Sequence, residues 1–261
     1  MNLRQVRSKL SKKYWGIRRE RFQRDLSLTE AIAAYPDPTE FYHYLHQYYL
    51  YQLPSELRAH REYFSSEGRG FGEDAFHAMW WLIFREYRPV ACLEIGVFRG
   101  QVISLWALIA KTLGYEIKIQ GVGPLSARGD SVSTYVDMVD YEQDILTSFE
   151  RFRLSPPILV KALSNEKKAI DSITPTKWDL FYVDGSHEYE DAKGDIALGS
   201  NVTAERGLVI VDDSSLKTNY RPPSFAFKGH PGPSRAISEL GTSLRHIATA
   251  GHNNILLKIG A

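Results

Sequence analysis

Residues 89–100 read PVACLEIGVFRG: a short, nearly continuous apolar run that ends in a carboxylate and two glycines. A stretch at helical spacing follows directly, from about Gln101 to Leu113. The same unit recurs downstream as YEIKIQGVG (115–123), PPILVKA (156–162), KWDLFYVDG (177–185) and RGLVIVDD (206–213). Helical patterns fill the intervals at about 142–153, 166–172 and 189–199. Strands apolar for several residues together, without alternation, are buried on both faces, which a parallel sheet covered by helices requires. The final segment, SLRHIATAGHNNILLKIG (243–260), reads as two strands joined by a Gly-His-Asn-Asn turn. The expected fold is therefore α/β: an open, mostly parallel sheet of about seven strands with helices on both faces.

Residues 1–75 lack this rhythm and read as an N-terminal helical segment or cap, leaving 76–261 as the main domain. Asp25 or Ser27 can cap a short helix through Ala33, which Pro36 and Pro38 would end. A helix from about Thr39 to Leu50 follows, with aromatic side chains at Phe41, Tyr42, Tyr44, Tyr48, Tyr49 and Tyr51. That band suits packing of a cap or an interface between two copies better than the wall of a substrate pocket. Glycine-rich Ser65–Gly72 reads as a hinge or lid, and a helix through Ala75–Arg85 leads into the sheet.

The chain has 261 residues, 43% apolar and 24% charged, with 32 Lys and Arg against 31 Asp and Glu. That total excludes a uniformly basic nucleic-acid binder but conceals an uneven distribution. Nine basic residues (Arg4, Arg7, Lys9, Lys12, Lys13, Arg18, Arg19, Arg21, Arg24) and one acid, Glu20, lie in the first 24 positions, so the rest is net acidic. Such an arm can meet phosphate or an acidic face, but reads first as the solvated face of a terminal helix. The single cysteine, Cys92, excludes an internal disulfide framework, and its apolar neighbours mark it as a core residue. There is no run long enough for a membrane span and no secretory signal pattern, so a cytoplasmic location is expected.

Chemistry concentrates where the strands end. Glu94 holds the place of the first glycine of a G-x-G-x-x-G turn, where an acid repels a pyrophosphate and suits a ligand with a cationic end. This favours a cofactor carrying a sulfonium and an amine over NAD. Gly96 and Gly100 permit a tight turn and a close helix start, although strand ends also carry Gly and Glu for structural reasons. Asp184, Asp212 and Asp213 end the fourth and fifth strands and should converge beside the switch in strand order. Three converging carboxylates call for protons or a hard cation such as Mg²⁺, unless they cap helices and anchor loops. His187, three residues past Asp184, can take a proton from a substrate hydroxyl at near-neutral pH. The other histidines lack comparable neighbours, and His43 and His46 read as solvated. The loop after the fifth strand holds Tyr220, Arg221, Phe225, Phe227, Lys228 and His230 and serves equally as a stacking and anionic-substrate pocket or as an ordered structural loop.

LEIGVFRG (93–100), YVDGSHEYEDAKGDI (182–196) and GLVIVDDSS (207–215), in that order, make residues 75–261 resemble the class I S-adenosylmethionine-dependent methyltransferases. Within that class the chain is similar to metal-dependent small-molecule and sugar O-methyltransferases of natural-product pathways. The resemblance implies that Glu94, Gly96, Phe98 and Gly100 line the methionine end of S-adenosyl-L-methionine, with Asp184 close by. It puts Asp184, Asp212 and Asp213 at the positions of ligands to a divalent cation and His187 at that of the base. The acid that usually holds the cofactor ribose is replaced by Gly123. Ser126 or Asp130 can substitute for it, Ser164 and Asn165 can approach the adenine, and segment 124–144 can cover the cofactor. The expected reaction is methyl transfer to a hydroxyl of a small molecule, best a sugar or vicinal diol. A metal-dependent hydroxylase or hydrolase using the same cleft is the alternative, followed by an RNA methyltransferase or a non-catalytic binding protein. Nucleic acid and membrane are not expected partners; a homo-oligomer through the aromatic N-terminal helices is.

Overall fold

In the computed structural model the described residues are 2–66, 68–130, 132 and 136–260. They form a seven-stranded sheet flanked by ten α-helices. The strands are β1 (Ala91–Ile95), β2 (Lys118–Gly123), β3 (Ile158–Lys161), β4 (Trp178–Val183), β5 (Thr203–Val211), β6 (Leu244–Ala250) and β7 (Asn253–Lys258). Their order is β3-β2-β1-β4-β5-β7-β6. The first five are parallel, and β7 enters antiparallel between β5 and β6. Chain order reverses between β1 and β4, the switch point at which open α/β sheets bind ligands. The expected architecture is present, including the closing strand pair, whose turn is only Gly251-His252.

The first helices are α1 (Leu3–Gly16), α2 (Leu28–Ala34), α3 (Pro38–Tyr51), α4 (Ser55–Ser66) and α5 (Asp74–Tyr87). Ser27, not Asp25, caps α2, in a reciprocal capping box with Glu30. Pro38 does not end α2. It opens α3 behind the Asp37 cap, because the first helical position needs no N–H donor. The aromatic band of α3 packs inward: Phe41, Tyr42, Tyr44, Tyr48 and Tyr49 are buried in the chain's own core. That core spans the N-terminal helices and one face of the sheet, so these five side chains leave no free surface for a second copy. The expectation of solvated His43 and His46 is overturned. Both are buried on α3, where His43 lies against the Trp15 and Phe22 rings.

Helices α6 (Gln101–Thr112), α7 (Tyr141–Arg151), α8 (Lys167–Ile173), α9 (Tyr189–Val202) and α10 (Pro231–Ser238) cover the sheet. Between α4, α5 and α6 runs a buried polar chain: His77 Nε2 to His60 Nδ1 at 3.1 Å, and His60 Nε2 to the Ser104 hydroxyl at 2.9 Å. Ser104 donates its proton to Gly100 O at 2.6 Å, so His60 Nε2 must be the donor in its bond to Ser104 and Nδ1 the acceptor from His77. Burial pushes the His60 pKa down to about 3 and that of His77 well below the usual value, so both imidazoles are neutral.

Candidate active site

The site forms along the C-terminal edge of β1, β4 and β5. Gly96 turns the chain after β1 at φ +98°, and a Cβ there would lie 1.7 Å from Asp184 O, so only glycine lets the ends of β1 and β4 approach this closely. Asp213 takes the left-handed conformation (φ 50°) that turns the chain after β5, a region in which Asp is among the better-tolerated residues. Its carbonyl accepts the His230 N–H at 2.7 Å, which draws the loop after β5 back over the strand ends.

Two cavities of similar size meet at Gly96, which lines both. The first, ≈ 700 Å³, is bounded at the strand ends by Glu94, Phe98, Asp184, His187, Asp212 and Asp213. The second, ≈ 710 Å³, is lined by Gly123, Ser126, Asp130, Ser164 and Asn165. The candidate residues thus divide into two adjoining groups. Gly100 lines neither cavity; it precedes α6 at φ +79°. A Cβ at Gly123 would stand 3.3 Å from the Val97 backbone N and O, a tight contact that a side chain there would have to relieve by a small shift. Part of segment 124–144, residues 131 and 133–135, lies outside the described residues.

His187 is held at both ring nitrogens. Nδ1 lies 2.7 Å and the backbone N 2.6 Å from Asp130 Oδ2, and Nε2 lies 2.9 Å from Asp213 Oδ2. These two carboxylates outweigh partial burial and push the His187 pKa up to about 9, so both nitrogens carry protons. Asp130 Oδ1 meanwhile accepts the Val132 N–H at 3.1 Å, so both Asp130 oxygens are engaged by protein donors. Ser164 is likewise engaged, with the buried carboxylate of Asp195.

The carboxylates crowd one another. Burial and the charges of Asp212, Glu94 and Asp213 hold the Asp184 pKa well above the usual range, and burial raises that of Asp212 as well. Glu94 is pushed up to about 8 by burial and by Asp212. Asp213 is instead lowered, through its bond to His187 and the charge of His252. Glu94 Oε2 and Asp212 Oδ1 are buried and have no hydrogen-bond partner among the described residues.

Two participants, His252 and Glu73, went unread in the sequence, and His230 was read only as part of the loop after β5. His252 brings Nε2 to 3.3 Å from Asp212 Oδ1 and 3.8 Å from Asp213 Oδ1. His230 Nε2 stands 3.8 Å from Asp213 Oδ2, its ring 4.2 Å from that of His187. Glu73 accepts from the Tyr42 hydroxyl and from the Phe227 N–H at 3.0 Å and faces His252 Nδ1 at 3.7 Å. Donor atoms gather within 4.8 Å as Asp212–Asp213–His252 and as His187–Asp213–His230; Asp184 belongs to neither group, though its carboxyl is hydrogen-bonded to that of Asp212. The Gly-His turn was a usable signal, because an antiparallel β7 beside β5 must begin where β5 ends. In the loop after β5, Phe225, Phe227 and His230 line the first cavity, whereas Tyr220 is wholly buried and Arg221 and Lys228 lie outside that lining.

Residues 93–214 match a family described as a methyltransferase domain. No curated protein is similar to the chain in sequence. Solved structures with the same fold include an O-methyltransferase from Bacillus cereus in complex with S-adenosylhomocysteine. It is 11% identical, with a TM-score of 0.54, over 81% of this chain and 93% of that one. The methyltransferase PaMTH1 from Podospora anserina, also bound to S-adenosylhomocysteine, is 11% identical with a TM-score of 0.56, over 80% of this chain and 89% of that one. The O-methyltransferase TomG from Streptomyces achromogenes, in complex with S-adenosylmethionine, is 12% identical with a TM-score of 0.52, over 80% and 92%. The fold is that of the class I methyltransferases, as the resemblance implied, and the methyltransferase-domain match covers the strand-end site. The matched domain runs from β1 to the turn after β5, so it contains Glu94, Gly96, Asp184, His187, Asp212 and Asp213.

Proposed function

We propose that the protein is an S-adenosylmethionine-dependent O-methyltransferase that uses a divalent cation, Mg²⁺ in the first instance, and methylates a sugar or other vicinal diol. The observation that carries this reading is the seam at Gly96, where a cavity lined by Ser126, Asp130 and Ser164 adjoins one holding Glu94, the three aspartates and His187. The adenosine would occupy the second cavity and the methionyl end the first, where Glu94 Oε2 has no hydrogen-bond partner among the described residues and can accept from an ammonium group. The donor set fits a hard cation: Asp212 Oδ1 is buried and accepts no hydrogen bond from the described residues, and Asp213 and His252 offer donor atoms beside it. Asp184, next to Asp212, completes the oxygen donors.

When bound, the two groups supply an electrophilic methyl carbon and a positive charge that eases loss of a hydroxyl proton. The chain's own residues do the rest. With both nitrogens protonated, His187 is not yet a base; Nε2 must first be released from Asp213. Once Asp213 Oδ2 is engaged elsewhere, Nε2 can release its proton to solvent, Asp130 keeps the proton on Nδ1, and the freed Nε2 lone pair faces the first cavity. Nε2 then takes the hydroxyl proton, and Asp130 stabilises the imidazolium that results. Phe225 and Phe227 would wall the acceptor space. The test is calorimetric titration with S-adenosylmethionine with and without Mg²⁺, then turnover with a diol acceptor. Cofactor binding, Mg²⁺-dependent turnover and its loss in His187→Ala are expected. Absence of cofactor binding under both conditions overturns the reading, and full turnover by His187→Ala overturns the base assignment.

A further inference from the structure

The basic N-terminal segment is not simply a solvated face. Arg4, Ser8 and Lys12, four residues apart on one side of α1, line the first cavity, and the helical rise spreads them over about 12 Å. The outward side of α1 carries Leu3, Leu10 and Tyr14, all exposed. The helix is anchored at its C-terminal end. Trp15 packs on Tyr42, His43 and Phe225, and Gln47 Nε2 donates to Trp15 O at 2.6 Å.

Opposite Lys12 stands Arg61 of α4, and both cations share one carboxylate, Asp74, at 3.0 and 3.1 Å. Arg61 Nη1 is buried and has no acceptor among the described residues. Arg99, on the same cavity, shares Asp144 with Arg69. Lys12 and Arg61 thus share one carboxylate, and Arg4 adds a third cation on the same cavity. The cavity is therefore divided: acidic and histidine-rich at the strand ends, cationic where α1 and α4 close it. A buried guanidinium nitrogen without an acceptor is costly, and an anionic ligand group would satisfy it with charge-assisted bonds.

We propose that Arg4, Lys12 and Arg61 form a subsite for an anionic group, a carboxylate or a phosphate, carried by the acceptor. The acceptor would then be a hydroxy acid or a phosphoester rather than a neutral diol. This inference rests on the methyl-transfer reading for the identity of its ligand as acceptor, but its test involves no turnover. The full-length protein is titrated calorimetrically with inorganic pyrophosphate and, separately, with citrate, in buffer free of divalent cations. Saturable one-to-one binding of at least one anion is expected, and the tighter of the two shows whether phosphate or carboxylate is the native group. Arg4→Gln/Lys12→Gln should weaken it at least tenfold, and Arg61→Gln comparably. Lys9→Gln/Lys13→Gln removes the same charge from the same helix away from the cavity and should weaken it less than threefold. Thermal melts of each variant verify folding; Arg4 and Lys12 are exposed enough for their replacement to leave the core intact. Three results overturn the proposal: no saturable binding of either anion, equal losses in the two double variants, or competition by saturating S-adenosylhomocysteine, which would hand these cations to the cofactor. None of the three bears on whether methyl transfer occurs.

Discussion

The buried histidines make the fold acid-labile by an amount the structure sets. His60 on α4 and His77 on α5 are buried with no carboxylate hydrogen-bonded to them among the described residues, and His43 and His46 are buried on α3. Burial is the first cause in each case, lowering the pKa of His43 and His46 to about 4 and of His60 to about 3, and that of His77 well below its usual value. A folded-state pKa below the unfolded one means that the unfolded chain binds the extra protons. The stability contribution is therefore full above the unfolded value of about 6.5 and drains away as pH falls from there toward 4 or 3. At pH 5.5 each such histidine favours unfolding by about 1.4 kcal/mol relative to high pH, from proton uptake by the unfolded chain alone. Four of them amount to ~6 kcal/mol, comparable with the whole stability of an ordinary domain. The perturbation that isolates the effect is His60→Leu/His77→Leu, which removes two sites and their shared hydrogen bond without leaving a lone buried partner ring. Urea unfolding at pH 7.5 and 5.5 should show the parent losing about 2.7 kcal/mol more than the variant between the two pH values, whatever their absolute stabilities. An unchanged pH sensitivity in the variant would falsify the claim that these rings are held neutral. Ser104 keeps its bond to Gly100 O in the variant, so the comparison is not confounded by an orphaned hydroxyl.

Other outcomes can be measured at the strand ends and in the core. His187, raised to about 9 by Asp213 and Asp130, contributes stability that is complete below about 6.5 and lost as pH rises from there through 9. Imidazole NMR should show that value falling by a unit or more in Asp213→Asn, and a normal His187 titration in the parent would refute the double clamp. Gly96→Ala must displace the end of β4, because its Cβ would overlap Asp184 O, so a loss of at least ~3 kcal/mol in urea titration is expected together with loss of cofactor binding. Trp178, buried with Nε1 donating to Ile173 O at 3.0 Å, should cost about 3–5 kcal/mol when replaced by alanine; a loss under 1 kcal/mol by chemical denaturation would mean that β4 is not packed as described.

The order of strands and helices was legible because its signals are local. β1 through β5 are continuous apolar runs punctuated by glycine, proline and carboxylates, and nothing distant is needed to recognise them. The same locality served Glu94, Gly96, Asp184, His187, Asp212 and Asp213, since parallel strands put their C-terminal ends on one edge. It failed for Pro38, because a proline before a helical run can close one helix or open the next, and the Asp37 cap decides which. It failed for the α3 histidines as well. Tyr and His at helical spacing look amphipathic until other elements cover both sides.

Sequence alone therefore determined the α/β unit, the strand-end carboxylates and the histidine beside them, through patterns a few residues long. Tertiary structure alone decided what surrounds them. β7 slots in beside β5 and delivers His252 to Asp212, the loop after β5 folds back to bring His230, and α5 begins beside the site with Glu73. It also carried α1 across the chain to turn Arg4 and Lys12 into the cavity. These contacts join residues tens to hundreds of positions apart. They follow from strand insertion and helix packing, which depend on how apolar faces cover one another and leave no mark in the local run of residues.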